Sequence, residues 1–235
     1  MSSIAPQLKA TIDRLMELDL PSEAEVQAEE ERRESQAKRA AAVRALSADI
    51  GSEYRGCRIS NYKIYDDDQR KLRDRAIEIG TSIVAYAQLG KSLFLYGSPG
   101  TGKDHIAIAL LKHAVNNGLT ARWTDCQILY QTIYDSPSQG IAWERSLYWP
   151  DIVCLSDPVL EGTTEPNKKC LFRIVNRRML NGKGTWVTCN IPLGQDDKIR
   201  QRAEQLFGEQ TLSRLLENAD RFGCTWEDFR GRERL

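Results

Sequence analysis

The sequence has no bias in net charge: Lys plus Arg and Asp plus Glu stand at 33 each. Bulk electrostatics therefore announce no nucleic-acid partner, and any basic surface must be local. There is no long apolar run and no charged-then-apolar leader, so a soluble, unexported protein with no membrane partner is expected. The six cysteines, Cys57, Cys126, Cys154, Cys170, Cys189 and Cys224, include no CxxC pair. Several lie in apolar segments, where a reduced thiol packs as a small hydrophobe. That argues against disulfides and metal binding by thiolates, and it fits a reducing cytoplasm. Neither internal repeats nor low-complexity tracts occur. A length of 235 residues suits one sizeable domain with an appendage.

What the chain does carry is the stretch Gly97-Ser98-Pro99-Gly100-Thr101-Gly102-Lys103. An apolar run, Ser92 to Tyr96, precedes it, and a helical one, His105 to Leu111, follows. Strand, glycine-rich loop and helix are the context a phosphate-binding loop requires. The glycines let backbone N–H groups turn inward around a polyphosphate, the helix N-terminus adds partial positive charge, and Lys103 adds a full one. The implied ligand class is a nucleoside triphosphate. After the lysine the motif expects Ser or Thr, whose hydroxyl ligates magnesium; this chain has Asp104. A carboxylate is a good hard-cation ligand, directly or through water. It also puts negative charge beside the phosphates, which should weaken nucleotide affinity when the metal is absent.

Residues 1–48 differ from the rest. Leu8, Ile12, Leu15 and Met16 recur at helical spacing and predict a short amphipathic helix. Pro21-Ser22 punctuates, with Ser22 an N-cap ahead of Glu23 and Glu25. A long polar helix then runs to Leu46, acidic at its start and basic at its end, in agreement with the helix dipole. A helix so polar buries little against its own domain, which favours a partner-docking arm over a solvated extension. Residues 49–65 read as a linker and Asp66 to Ala87 as a helix. Thereafter strands 120–124, 151–155 and 184–188 alternate with helices 104–117, 126–134 and 167–180, followed by a mostly helical C-terminal segment. Such alternation predicts an α/β fold, a parallel sheet flanked by helices over residues 66–235.

The run Ile152 to Asp157 is apolar and ends in an acid, the pattern by which a second strand of such folds holds magnesium; Asp157 is the candidate. Pro158 follows, where many ATPases place the Glu that activates water, so the usual base is missing and fast hydrolysis by this protein alone is not expected. Glu161 substitutes only if the loop folds back. Asn190, at the end of the next strand, either orients water or touches the γ-phosphate, or simply starts the turn at Ile191-Pro192. By spacing alone Arg214 and Arg230 read as ordinary surface arginines.

Taken in order, these motifs make the chain resemble the DnaC/IstB-like branch of AAA+ ATPases, the bacterial replicative-helicase loaders in particular. The matching residues are GSPGTGKDH (Gly97 to His105), the strand ending at Asp157, IVNRR (Ile174 to Arg178) before WVTCN (Trp186 to Asn190), GEQTLSRL (Gly208 to Leu215) and WEDFR (Trp226 to Arg230), with CRISNY (Cys57 to Tyr62) ahead of the core. The resemblance implies a P-loop NTPase fold preceded by a helical N-terminal arm that docks on a helicase. It implies ATP or ADP with Mg2+ as cofactors, held by Gly97, Ser98, Pro99, Gly100, Thr101, Gly102, Lys103, Asp104 and His105, with Asp104 and Asp157 at the metal. Asn190 becomes the first sensor, Arg214 the finger reaching a neighbouring subunit's nucleotide, and Arg230 the second sensor. A departure is Pro158, since the family usually has an acid there.

The implied partners are a hexameric replicative DNA helicase, single-stranded DNA and further copies of the chain in an open spiral. Tyr130, Tyr134, Thr163, Thr164, Lys168 and Lys169 are the candidate DNA contacts, since aromatic faces stack on bases and lysines offset phosphates. An IstB-like transposition regulator, wrapping duplex DNA, and a non-hydrolysing ATP-binding scaffold are the rival functions. The acidic-then-basic arm suits a protein partner better than a duplex phosphate backbone.

Overall fold

The computed structural model describes Lys9, residues 22–191 and residues 197–229. The expected helix through Leu8, Ile12, Leu15 and Met16, and the residue Arg230, lie outside the described residues. The chain divides into two compact units, Met1–Lys38 and Arg39–Leu235. Helix α1 (Glu23–Asp49) begins in the first and ends in the second. Ser22 starts it as the sequence indicates: its Oγ accepts the Glu25 N–H at 3.3 Å, and Glu25 Oε2 accepts the Ser22 N–H at 2.8 Å. From Glu23 to Lys38 every residue is exposed.

The second unit takes in more of α1 than the sequence suggests, because Ala42 and Leu46 enter its core. Residues 49–65, expected as a linker, pack there too. Ile50, Cys57 and Tyr62 are buried, and short 3-10 turns at Ser52–Tyr54 and Ile59–Asn61 shape the path between them. Lys112 fastens this path by donating to the carbonyls of Tyr54 at 2.8 Å and Arg55 at 2.7 Å.

The helix expected over Asp66–Ala87 is two helices, α2 (Asp67–Thr81) and α3 (Ile83–Gln88). The hydroxyls of Thr81 and Ser82 both bond back to the carbonyls four residues earlier, at 2.9 and 3.2 Å, a competition with the backbone that bends helices. Strand β1 (Ser92–Gly97) follows, then α4 (Lys103–Asn116), β2 (Ala121–Asp125), α5 (Cys126–Asp135), α6 (Pro137–Ser146), β3 (Ile152–Ser156), α7 (Glu165–Leu180) and β4 (Thr185–Cys189). Helices α8 (Asp197–Phe207) and α9 (Glu209–Leu216) lead to β5 (Ala219–Cys224). No helix among the described residues is long and apolar enough to cross a membrane.

The five strands are parallel in the order β2-β3-β4-β1-β5. Both faces are covered, so the inner strands are almost wholly buried and mostly apolar, and their side chains sort by alternation. Leu93 and Leu95 of β1 and Cys154 of β3 join the core beneath α2 and α4; Phe94, Val153, Leu155 and Val187 join the core with α5, α7 and α8. Helices α8 and α9 bear out the mostly helical C-terminal segment, and strand β5 adds an element that the sequence does not announce. It is an edge strand of sequence ADRFGC, paired with β1 from Ser92↔Ala219 to Gly97↔Cys224.

At the sheet's other end Arg178 is fully buried without a carboxylate partner among the described residues. It donates instead to the carbonyls of Leu147 (3.0 Å), Pro150 (2.9 Å), Asp151 (3.3 Å) and Gly184 (2.5 Å), fixing the turns that feed β3 and β4. Burial pushes its pKa down to about 9, so it is cationic at neutral pH. Replacing Arg178 with Met orphans these carbonyls and should cost about 3 kcal/mol or more in urea unfolding. Lys should not rescue it, since a point ammonium cannot span four acceptors arranged for a planar fork.

Candidate nucleotide-binding site

The loop after β1 owes its shape to three glycines with positive φ: Gly97 (122°), Gly100 (71°) and Gly102 (84°). Each also lies against a neighbour that leaves no room for a Cβ. At Gly97 the neighbour is the backbone carbonyl of Cys224, at Gly100 the carboxylate of Asp228, and at Gly102 the Tyr62 ring, 2.7 Å from the position a Cβ would take. Gly102 is the N-cap of α4, so that helix points its N-terminus at the loop. Inside the curve, Thr101 Oγ1 donates to Ser98 O at 2.9 Å. Lys103 folds inward: Nζ donates to Ser98 O at 2.6 Å and lies 3.3 Å from Gly97 O. Burial lowers its pKa, and the neighbouring thiols and carboxylates of Cys224, Asp104 and Asp157 oppose that shift.

Opposite the lysine stand two carboxylates. Asp104 Oδ1 accepts from Thr188 Oγ1 at 2.6 Å, Ser156 Oγ at 3.0 Å and, at 3.4 Å, Trp123 Nε1. Its Oδ2 has no hydrogen-bond partner among the described residues. Asp157 follows β3 in the left-handed region at φ 43°, the only non-glycine with positive φ among the described residues. A strained backbone is kept only where its surroundings over-determine it. Here the Asp157 N–H donates to Thr188 O at 2.8 Å, its carbonyl accepts from Gln127 Nε2 at 2.7 Å, and Asn190 Nδ2 lies 3.1 and 3.2 Å from its carboxylate oxygens. Burial, then the charge of Asp104, pushes the Asp157 carboxyl up to about 6.

These groups gather outside the carboxyl ends of the strands, where open α/β sheets bind ligands. They line a cavity of about 670 Å³ that also reaches Tyr54, Cys57, His105 and Phe229. The segment before α2 and the C-terminal tail both close on the loop. Tyr62 OH and Trp226 Nε1 donate to Thr101 O at 3.2 and 3.0 Å, and the Phe229 N–H donates to Gly100 O at 3.0 Å. His105 Nε2 meets Arg58 O at 2.9 Å and Asn61 Oδ1 at 3.0 Å, so it holds this segment as well as flanking the cavity.

The residues present fit a nucleoside triphosphate with its cation. The glycine cradle, a buried ammonium bonded only to loop oxygens, and the helix N-terminus suit polyphosphate. Two carboxylates, one with an oxygen to spare, suit a hard divalent ion.

The remaining sequence candidates disperse. Arg214 is at the opposite end of the sheet, lining a cavity of about 490 Å³ with Ser92 and Thr185 at the starts of β1 and β4. Its guanidinium stacks 4.8 Å over Phe172, and Nη1 is buried without a partner among the described residues. Glu161 is ion-paired with Arg202 rather than folded back. Tyr130 is a correction: it is buried, with its hydroxyl donated to Pro158 O at 2.9 Å, so its ring has no face for a base. Tyr134, by contrast, is 83% exposed, Thr164 and Lys169 are exposed, and Lys168 pairs with Glu165 at 2.8 Å. Trp123, Ser156 and Thr188, which fix Asp104, were not legible as site residues; Ser156 and Thr188 stood only as the neighbours of Asp157 and Asn190 in their motifs.

A family model described as IstB-like ATP binding protein matches residues 5–235. Among curated relatives, the uncharacterized protein YdaV of Escherichia coli K12 is 25% identical over 182 residues, 75% of this chain and 69% of that protein. The replicative helicase loader DnaC of Buchnera aphidicola (subspecies Acyrthosiphon pisum) is 25% identical over 194 residues, 75% of this chain and 70% of the other. Among solved structures, the DnaC helicase loader superposes with a TM-score of 0.67 at 21% identity, covering 74% of this chain and 100% of that one. The replication initiator DnaA bound to AMPPCP and single-stranded DNA gives 0.56 at 18% identity, over 76% and 51%. The structural likenesses establish the fold as that of a P-loop AAA+ domain.

The raised Asp157 carboxyl yields a prediction. The folded chain holds this proton more tightly than the unfolded one, so the group costs nothing below its ordinary 3.8, costs increasingly as pH rises towards 6, and costs most above. Asp157→Asn should therefore stabilise the ligand-free protein at pH 8 by about 1–2 kcal/mol, after allowance for solvent screening, and by little at pH 4. Thermal unfolding at the two pH values, beside a loss of magnesium-dependent nucleotide affinity, checks it.

Proposed function

The chain belongs to the family of IstB-like ATP-binding proteins, and on that premise we propose that it is an ATP-switched loader for a hexameric replicative DNA helicase. The observation that carries this reading is a loop that fits phosphate, with a proline where the general base usually stands. Pro158 occupies the position after Asp157, and Glu161, the nearby acid, is engaged by Arg202. Losing general-base help commonly costs ~10²–10⁴ in rate. A site that binds well and turns over slowly is suited to switching between assemblies, because a ligand shifts an equilibrium by its differential affinity whether or not it is consumed.

In this reading Lys103 and the loop amides hold the phosphates. Asp104 and Asp157 hold Mg2+, and Asn190, which touches Asp157, senses the γ-phosphate. Arg214, remote from its own site, reaches the nucleotide of the next copy in an open spiral, and Arg230 serves as the second sensor. Single-stranded DNA lies along Tyr134, Thr164, Lys168 and Lys169. The polar start of α1 docks on the helicase, a role consistent with the loader names of two relatives. The second reading is an IstB-like transposition regulator that wraps duplex DNA. A third is a scaffold without turnover.

Removal of residues 1–38 should abolish co-purification with the host's replicative helicase and leave ATP affinity unchanged. A cut at 48 is unsuitable because it strips Ala42 and Leu46 from the core. Retained co-purification would eliminate the arm as the docking element, and capture of duplex DNA in place of helicase would favour the transposition reading. Turnover stimulated by helicase and single-stranded DNA would exclude the scaffold.

A further inference from the structure

Asp104, the residue after the loop lysine, is connected to the end of the long helix by one side chain that neither lines the cavity nor belongs to the loop. Trp123, in β2, is 8% exposed. Its indole N–H donates to Asp104 Oδ1 at 3.4 Å, while its backbone N–H donates to Asp49 Oδ2 at 3.2 Å. Asp49 is the last residue of α1 and its carboxylate is buried. Arg122, the neighbour of Trp123, holds it in a two-pronged ion pair, Nε to Oδ2 at 2.5 Å and Nη2 to Oδ1 at 2.8 Å. The Trp123 ring also meets Tyr54, centroid to centroid at 5.8 Å, and Tyr54 lines the nucleotide cavity from the turn that follows α1.

We propose that Trp123 is a positioning residue that orients Asp104 and passes the occupancy of the nucleotide site to the end of α1. The proposal rests on the nucleotide-binding reading above. Its physical basis is the inequality of the three donors on Asp104 Oδ1. The Thr188 hydroxyl at 2.6 Å is short and the Trp123 indole at 3.4 Å is long, so the indole is the donor free to tighten or let go. A cation on the spare Oδ2 draws charge from Oδ1, whereas phosphate beside the carboxylate repels it, and either changes that bond first. The indole cannot shift without its backbone, which bears on Asp49, or its ring, which bears on Tyr54. Asp49, in turn, is a buried charge whose partners are Arg122 and the Trp123 N–H, and a group in that situation tolerates little misalignment. Spatial continuity alone does not establish coupling, so the test must measure a ligand response that the intermediate residue controls.

The test is hydrogen exchange on the full-length chain, read over residues 39–49, without ligand and with saturating ATP and magnesium. In the wild type, ligand should change exchange there by about fivefold or more, the lower range of measured couplings. Trp123→Phe keeps an aromatic ring and deletes the indole N–H. It should lose this response and also weaken the magnesium-dependent part of ATP affinity. Asp49→Asn keeps the size of the side chain and breaks the ion pair far from the cavity. It should lose the response with ATP affinity unchanged, and it decides the matter alone if Trp123→Phe fails to fold. A purely structural role for Trp123 would lower the melting temperature and leave the ligand response intact. A folded, ATP-binding variant of either kind with the wild-type response overturns the relay. So does a wild type that binds ATP without altering residues 39–49. A wild type that binds no adenine nucleotide overturns the functional reading itself.

Discussion

One carboxylate oxygen, Asp104 Oδ1, takes donors from three adjacent strands: Trp123 of β2, Ser156 at the end of β3 and Thr188 of β4. The hydroxyl that phosphate loops normally carry at this position could accept from few of them. A carboxylate oxygen has two lone pairs, so Oδ1 takes the two shorter hydroxyl bonds and shares a weaker third contact with the indole, while the other oxygen stays open for a cation. Asp104 is thus less a defect in the loop than the point at which helix α4 is referenced to the sheet. The loop's carbonyls fix Lys103, the strands fix Asp104, and the distance between the two charges follows from the fold.

The same arrangement sets the electrostatics. Asp157 is buried close enough to Asp104 for its carboxyl to be pushed to about 6, and the nearest ammonium, Lys103, is occupied with Ser98 O. Without a cation the site holds two carboxylates facing a place meant for phosphate. In the proposed reading this makes nucleotide binding conditional on the metal to an unusual degree. A conditional switch of this kind has little need of a fast hydrolytic step, which agrees with Pro158 and with Glu161 turned to Arg202.

The parts legible in the sequence are those with local causes. Strands β1, β3 and β4 are buried on both faces and announce themselves as apolar runs, and the glycines of the loop recur at motif spacing. Strand β5 was hidden because an edge strand with Asp220 and Arg221 needs no apolar run; its pairing with β1 and the bond from Arg75 to Asp220 hold it. The residues from 49 to 65 read as a linker because Ile50, Cys57 and Tyr62 are too few and too unevenly spaced to set a helical or strand period, though each is buried. Tyr130 shared a helix with exposed Tyr134, and only the packing of α5 separates their roles. The three donors to Asp104 come from residues 19, 52 and 84 positions away, a separation that no local pattern encodes.

In the proposed reading the loop around Gly100 and Lys103 holds a triphosphate, and holds it more tightly once a divalent cation neutralises Asp104 and Asp157. Calorimetric titration of ATP into the full-length protein, with magnesium and with a chelator, tests it most directly. Saturable binding with magnesium that weakens about tenfold or more with chelator is the predicted result, equivalent to the ~1.4 kcal/mol expected of one unneutralised neighbouring charge. Equal affinity under both conditions, or no binding under either, would contradict it.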